Sequence, residues 1–298
     1  MAVSTLKSSS LASDAVSNAR RVALATLPGL LLFAAAVAGQ SRFNRLASEG
    51  GQLTLLWMVV SLMTIFVGCF WSADMYRKLL PEAGNRSLFV DAGRLFLANL
   101  AVYGLYFILI FLLTLFFSIL AGILIGTTGY DPSETPTSSD AVWESMQALS
   151  QSGGATLLYL LLFAALAGLV WLGLRLFVFG AATVAESRIT IFRSWAWTSR
   201  HVSRIALLWV FLQLVPWILL TLLASGFLQL SGVETAFTLY AAGETPPDAI
   251  GRAPWEVALL MGGATLILAP FYWLGHGLSV ALYQRLAPTR VDAETTFG

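Results

Sequence analysis

Four residues of one short segment, Arg193, Trp197, Arg200 and Arg204, recur at spacings of three and four. On a helix turning 100° per residue they fall within about 60° of one another. Ile191, Phe192, Trp195, Ser199 and Val202 occupy the opposite side, and Thr190 is placed to cap the N-terminus. The pattern predicts an amphipathic helix lying in a membrane surface, with aromatics in the acyl boundary and arginines at headgroups. Each such cation is worth about 1 kcal/mol against an anionic leaflet. The candidate lipid- or partner-binding set is therefore Arg193, Trp195, Trp197, Arg200 and Arg204. A plain anchor that only fixes topology would use the same residues.

A second set, Arg175, Tyr272 and His276, is a candidate cavity lining. Charge inside a bilayer is costly and usually functional. Arg175, however, lies 20 residues after Ala155, near the inner boundary of its apolar run, where it can snorkel. Glu186 is eleven residues further on, too far along a helix for a direct pair. Tyr272 and His276 belong to the small and aromatic stretch Phe271–Gly277, which suits tight helix packing or an amphiphile pocket. Pro28, Pro216 and Pro270 interrupt apolar runs, and each is expected to kink a helix and free carbonyl groups.

Catalytic chemistry finds little footing. Two histidines cannot build a His-rich metal centre, and neither HExxH nor GxxxxGK[ST] occurs. Ser225-Gly226 with His276 evokes an intramembrane serine protease only faintly, since Leu223 stands where a glycine is expected. The acidic loop over 127–154 lacks calcium-ligand spacing. The expectation is no catalytic residue, no metal and no cofactor.

The elements that must carry these residues are membrane helices. Of 298 residues 57% are hydrophobic and 11% charged, against about 45–50% and about 25% in soluble domains. A net charge of +1 leaves no field for a polyanion, so nucleic acid is excluded as a partner. Six apolar segments follow: Val22–Gly39, Leu53–Ala73, Leu95–Gly126, Ala155–Ala185, Ile205–Leu230 and Trp255–Leu282. The third and fourth exceed the roughly 20 residues a crossing needs, and so tilt or run on beyond the bilayer. The fold class read is all-α, a polytopic protein with six transmembrane helices and interfacial amphipathic helices. Residues 1–21 form a cytoplasmic tail, 22–288 a single membrane domain and 289–298 a second tail.

With the N-terminus inside, 13 of the 17 cations fall on the cytoplasmic side and three outside. Both termini are then cytoplasmic. Arg20-Arg21 ahead of Ala36-Val37-Ala38 also resembles a cleaved secretory signal, and retention of that helix is the preferred reading. Met75–Pro81 aligns without gaps to Leu282–Pro288, which suggests a duplication or merely two similar juxtamembrane ends. Asp74 with Arg77 or Lys78, and Asp91 with Arg94, read as solvated pairs. Gly122 and Gly126 permit close helix contact.

The stretch from Arg175 to Arg204, with Ala185-Glu186, Phe192-Arg193-Ser194-Trp195 and Thr198, resembles a known pattern. It is similar to the membrane domain attached to some bacterial glycerophosphoryl diester phosphodiesterases and to YciC-like inner-membrane proteins. Tyr283-Gln284-Arg285-Leu286 matches the basic, Tyr-containing close of such chains. The resemblance implies a bacterial inner-membrane protein. It carries over no activity, because the phosphodiesterase chemistry belongs to a separate soluble barrel for which this chain has no motif. The functional expectation is a non-enzymatic organising or accessory protein that engages anionic lipid headgroups or a partner at the cytoplasmic face. A membrane protein or a second copy of the chain is the candidate partner. The alternative is a transporter or flippase of a small apolar or amphiphilic solute.

Overall fold

The computed structural model describes residues 8–49, 54–83, 86–128, 147, 149–151, 153–233 and 253–287. Among these every regular element is helical: α1 Ser8–Ala23, α2 Leu27–Glu49, α3 Thr54–Leu79, α4 Leu88–Gly126 and α5 Gly154–Leu176 come first. They are followed by α6 Phe179–Glu186, α7 Arg193–Thr198, α8 Val202–Trp209, α9 Val215–Leu230, α10 Pro254–Ile267 and α11 Ala269–Leu286. Among the described residues five helices are long and apolar enough to cross a membrane. The number is six if α1 and α2, bent by 79° where they meet, count as one. The set is compatible with a multi-pass membrane protein. The predicted loop at 127–154 lies mostly, and the tail 289–298 wholly, outside the described residues.

Two compact units divide the chain. One holds residues 1–98 and 175–298, the other 99–174. In the larger unit α2 lies against α3 and α10 because small residues admit large ones. A Cβ on Gly29 would stand 2.8 Å from the Trp71 ring, and one on Gly262 3.1 Å from the Ala34 carbonyl oxygen. Phe33 stacks on Trp71 at 5.7 Å, and Tyr272 meets the Trp71 ring edgewise at 5.5 Å. Edge-to-face and stacked rings are the arrangements that aromatic quadrupoles favour. In the smaller unit α4 and α5 are tied by Tyr106, whose hydroxyl donates to the Leu169 carbonyl at 3.0 Å. Their remaining faces, including Phe107, Phe111, Leu115, Tyr159 and Phe163, are exposed, as a lipid-facing surface requires.

The first predicted segment is displaced. Val22 is buried at the end of α1, and the chain turns before Pro28, which starts α2 instead of kinking it. A proline fits the first turn of a helix, where its missing N–H has no partner to lose. From Ser8 onward the predicted N-terminal tail is the helix α1, with Leu11, Ala15, Ala19 and Val22 buried at spacings of four, four and three. It docks on α11, where Asn18 donates to the Gly277 carbonyl at 3.3 Å and Arg285 binds Ser10 at 2.9 Å and pairs with Asp14.

The over-long segments differ from each other. The third is one 39-residue helix, α4. The fourth breaks at Phe177-Val178 into α5 and α6. Pro270 divides the sixth at Leu268, as its ring must.

Pro216 follows a π-helical turn, Val210–Leu214, and cannot donate to the Leu212 carbonyl four residues back. The buried Gln213 side chain donates to that oxygen at 2.8 Å. An unsatisfied carbonyl in an apolar surrounding is costly, so Gln213→Leu is expected to lower stability by about 1–3 kcal/mol. Thermal unfolding in detergent would show the loss, and an unchanged transition would contradict this role for Gln213.

Candidate functional site

The segment from Glu186 to Arg204 is not one helix. α6 ends at Glu186, Ser187 takes a left-handed conformation with φ of 57°, and α7 spans only Arg193–Thr198. A turn at Ser199–His201 then separates α7 from α8. The predicted stripe is therefore cut, because Ser194 and Thr198 turn inward and satisfy themselves on carbonyls. Ser194 donates to Ile191 at 2.6 Å, and Thr198 to Arg175 at 3.0 Å, which ties α7 to the end of α5. Thr190 does not cap α7. It is buried, and its hydroxyl lies 3.4 Å from that of Thr183 in α6.

Arg175 does not snorkel outward. It is 6% exposed, and its guanidinium carbon lies 4.5 Å from the centre of the Trp195 ring. A cation over an indole face is attracted by the ring quadrupole, more strongly when water is excluded. Trp195 thus closes the hairpin inward. Trp197, on the neighbouring face, meets Tyr283 edgewise at 5.8 Å.

Glu186, weighed in the sequence only as a partner for Arg175, accepts from Arg188 at 2.6 Å and from Arg193 at 2.8 Å. The carboxylate holds two half-exposed guanidinium groups side by side, Arg188 at 56% and Arg193 at 55% exposure. Phe192, expected on the side opposite the arginines, is 72% exposed, and Ile189 is 48% exposed. Arg200 and Arg204 are exposed in the following turns. The result is a short basic surface with two apolar side chains standing out of it. It joins the ends of two apolar spans, 154–186 and 202–230.

His201 lies in the turn between α7 and α8. Its pKa is lowered from 6.5, first by burial and then by the charges of Arg204 and Arg200. The folded chain therefore binds this proton less readily than the unfolded chain, and the turn loses stability as pH falls below about 6.5. A nuclear magnetic resonance titration is expected to place the His201 midpoint below 6.5, with Arg204→Gln moving it upward. A midpoint at or above 6.5 would contradict the arrangement.

Of the second candidate set, Tyr272 and His276 lie one helical turn apart in α11, and Arg175 packs under Trp195. Tyr272 sits in the Phe33–Trp71 aromatic group. His276 packs its ring 4.8 Å from that of Tyr76, with Nδ1 2.7 Å from the Tyr272 carbonyl. Since a carbonyl only accepts, Nδ1 carries the proton. Gly275 lies against Gln213, where a Cβ would come 2.8 Å from the amide oxygen.

The pair Asp74–Lys78 forms at 2.6 Å, and Asp91–Arg94 at 3.2 Å, at the expected helical spacings. Asp91 is not solvated, however. Its side chain is fully buried, with Arg77 at 3.6 Å on its other side. Among the described residues no group of three His, Cys, Asp or Glu could hold a metal ion.

Comparison with known proteins adds no relative: no family model, no curated protein and no solved structure matches the chain.

Proposed function

We propose that this is a multi-pass protein of the bacterial inner membrane, with six crossings and both termini cytoplasmic. It organises or anchors, without catalysis, by engaging anionic lipid headgroups or a partner protein through residues 187–204. The orientation rests on the sorting of arginine and lysine between alternate loops. The observation that carries the functional reading is the exposure of Phe192 and Ile189 among Arg188, Arg193 and Arg200, between the ends of two spans. Apolar side chains in the acyl boundary beside cations at the headgroups are how a surface element holds to an anionic leaflet. The likeness to the phosphodiesterase membrane domain and YciC-like proteins is carried forward on the same residues. Glu186, Ser194, Trp195 and Thr198 each make a contact that shapes this hairpin, which gives a reason for such a motif without an active site.

The transporter reading draws on the π-helical turn and buried Gln213, a feature that often marks functional positions. The packing of Arg175, Tyr272 and His276 against protein favours the surface role over it. Native mass spectrometry of protein extracted from its own membrane decides between them. Bound anionic lipid or a partner that is lost when Arg193, Arg200 and Arg204 become Gln supports the surface role. A small amphiphile retained by that variant and lost in Arg175→Ala would overturn it.

A further inference from the structure

A second basic surface stands apart from the hairpin. Beside α1 lies an open groove of about 510 Å³, lined by Ala12, Ser13, Val16, Ser17, Arg20 and Arg21. Ser13, Ser17 and Arg20 are four and three residues apart and fall within about 60° on the helix. Helical side chains lean toward the N-terminus, so Arg20 and Arg21 reach back over the turn that carries the two serines. The one acidic residue of α1, Asp14, is engaged by Arg285. Among the described residues no carboxylate pairs with Arg20 or Arg21, and both are exposed. Two arginines and two serines thus line one groove together with Ala12 and Val16.

What lies next to the groove decides the occupant. Leu24, four residues after Arg20, is 85% exposed, and beyond the 79° bend Leu27 and Leu31 at the start of α2 are exposed at 40% and 51%. The polarity of this face runs from hydroxyl through cation to hydrocarbon, in the order of a phosphoglyceride from headgroup through phosphate to acyl chain. Guanidinium forks match phosphate oxygens, and leucines match the chain. A soluble phosphate ester would satisfy the arginines and leave the leucines in water.

We propose that α1 is a binding site for one anionic phospholipid, its phosphate between Arg20 and Arg21 and its acyl chain along Leu24. The site shares no residue with the 187–204 hairpin and stands independently of what that hairpin binds. Because α1 is docked on α11, the bound lipid would hold the N-terminal helix at the membrane boundary.

The test is photolabelling of the full chain in nanodiscs of phosphatidylcholine containing a trace of phosphatidylglycerol with a photoreactive headgroup. Label is expected on the peptide spanning residues 8–24, displaced by unlabelled phosphatidylglycerol and not by soluble glycerol phosphate. Losing two cations should weaken competition roughly thirtyfold in Arg20→Gln/Arg21→Gln. Ser13→Ala/Ser17→Ala keeps the charges and should weaken it several-fold, with α1 equally protected from hydrogen exchange in both variants. Arg193→Gln/Arg200→Gln should leave the α1 label unchanged. Label that persists in Arg20→Gln/Arg21→Gln, or is displaced equally by glycerol phosphate, would overturn the proposal. So would label lost in Arg193→Gln/Arg200→Gln.

Discussion

Gly277→Ala is expected to lift α1 from α11. An added Cβ at Gly277 would sit 2.4 Å from the Ala15 carbonyl oxygen and 3.1 Å from the Ala19 amide nitrogen. Both are backbone atoms, so no rotamer change can make room and the helices must part. Overpacking of this kind costs about 1–3 kcal/mol. Separation would also remove the Asn18 bond to Gly277 and the Arg285 contacts with Ser10 and Asp14. A free 16-residue helix of this polarity is not stable in water. Hydrogen exchange in residues 8–23 should therefore speed up at least about fivefold, the low end of that cost at one decade per 1.4 kcal/mol. Gly122→Ala, which meets nothing within 4 Å, serves as the control and should change nothing. Unaltered protection of α1 in Gly277→Ala would refute the docking.

The second large effect concerns the hairpin. Trp195 is one of the candidate residues read from the sequence, but it covers Arg175, and its loss would disturb the fold as well as the surface. Phe192 and Arg200 point outward and can be changed with the clamp intact. Phe192→Glu/Arg200→Glu removes one apolar anchor and reverses one charge. At about 1 kcal/mol per cation and about 1.5–3 kcal/mol for a buried Phe, lipid retention should fall about a hundredfold or more. Anionic lipid carried through purification at wild-type level in this variant would remove the basis of the surface role.

How far the sequence reveals such a molecule depends on the length over which a signal is averaged. The apolar runs leading to α3, α4 and α9 are legible because twenty or more residues agree, whatever their partners. α1 is not, since its four buried residues, Leu11, Ala15, Ala19 and Val22, are scattered through a polar stretch and two of them are alanines. Their spacing was readable, but the need for it arises from Gly277, more than 250 residues away. The hairpin fails differently. Its helical periodicity is real over six residues, yet Ser194 and Thr198 gain more by bonding to the Ile191 and Arg175 carbonyls than by continuing the stripe. Spacing along one ideal helix also hid the role of Glu186, since only the reversal at Ser187 brings Arg188 and Arg193 to it. Arg175, Asp91 and Gln213 share a lesson. A polar residue within or beside an apolar run can be held by an aromatic face, two guanidiniums or a proline-freed carbonyl as readily as by solvent.

The central claim is that residues 187–204 rest in an anionic membrane surface, and the depth of Phe192 tests it most directly. Cys69 is buried, so a nitroxide on Phe192→Cys can be attached to the otherwise native chain. In vesicles containing phosphatidylglycerol the label is predicted to lie about 5–10 Å into the boundary between headgroups and acyl chains, shielded from water-soluble relaxation agents. With Arg188, Arg193 and Arg200 changed to Gln it should move toward water. A label that is fully accessible from water in both proteins, whatever the lipid, would contradict the account.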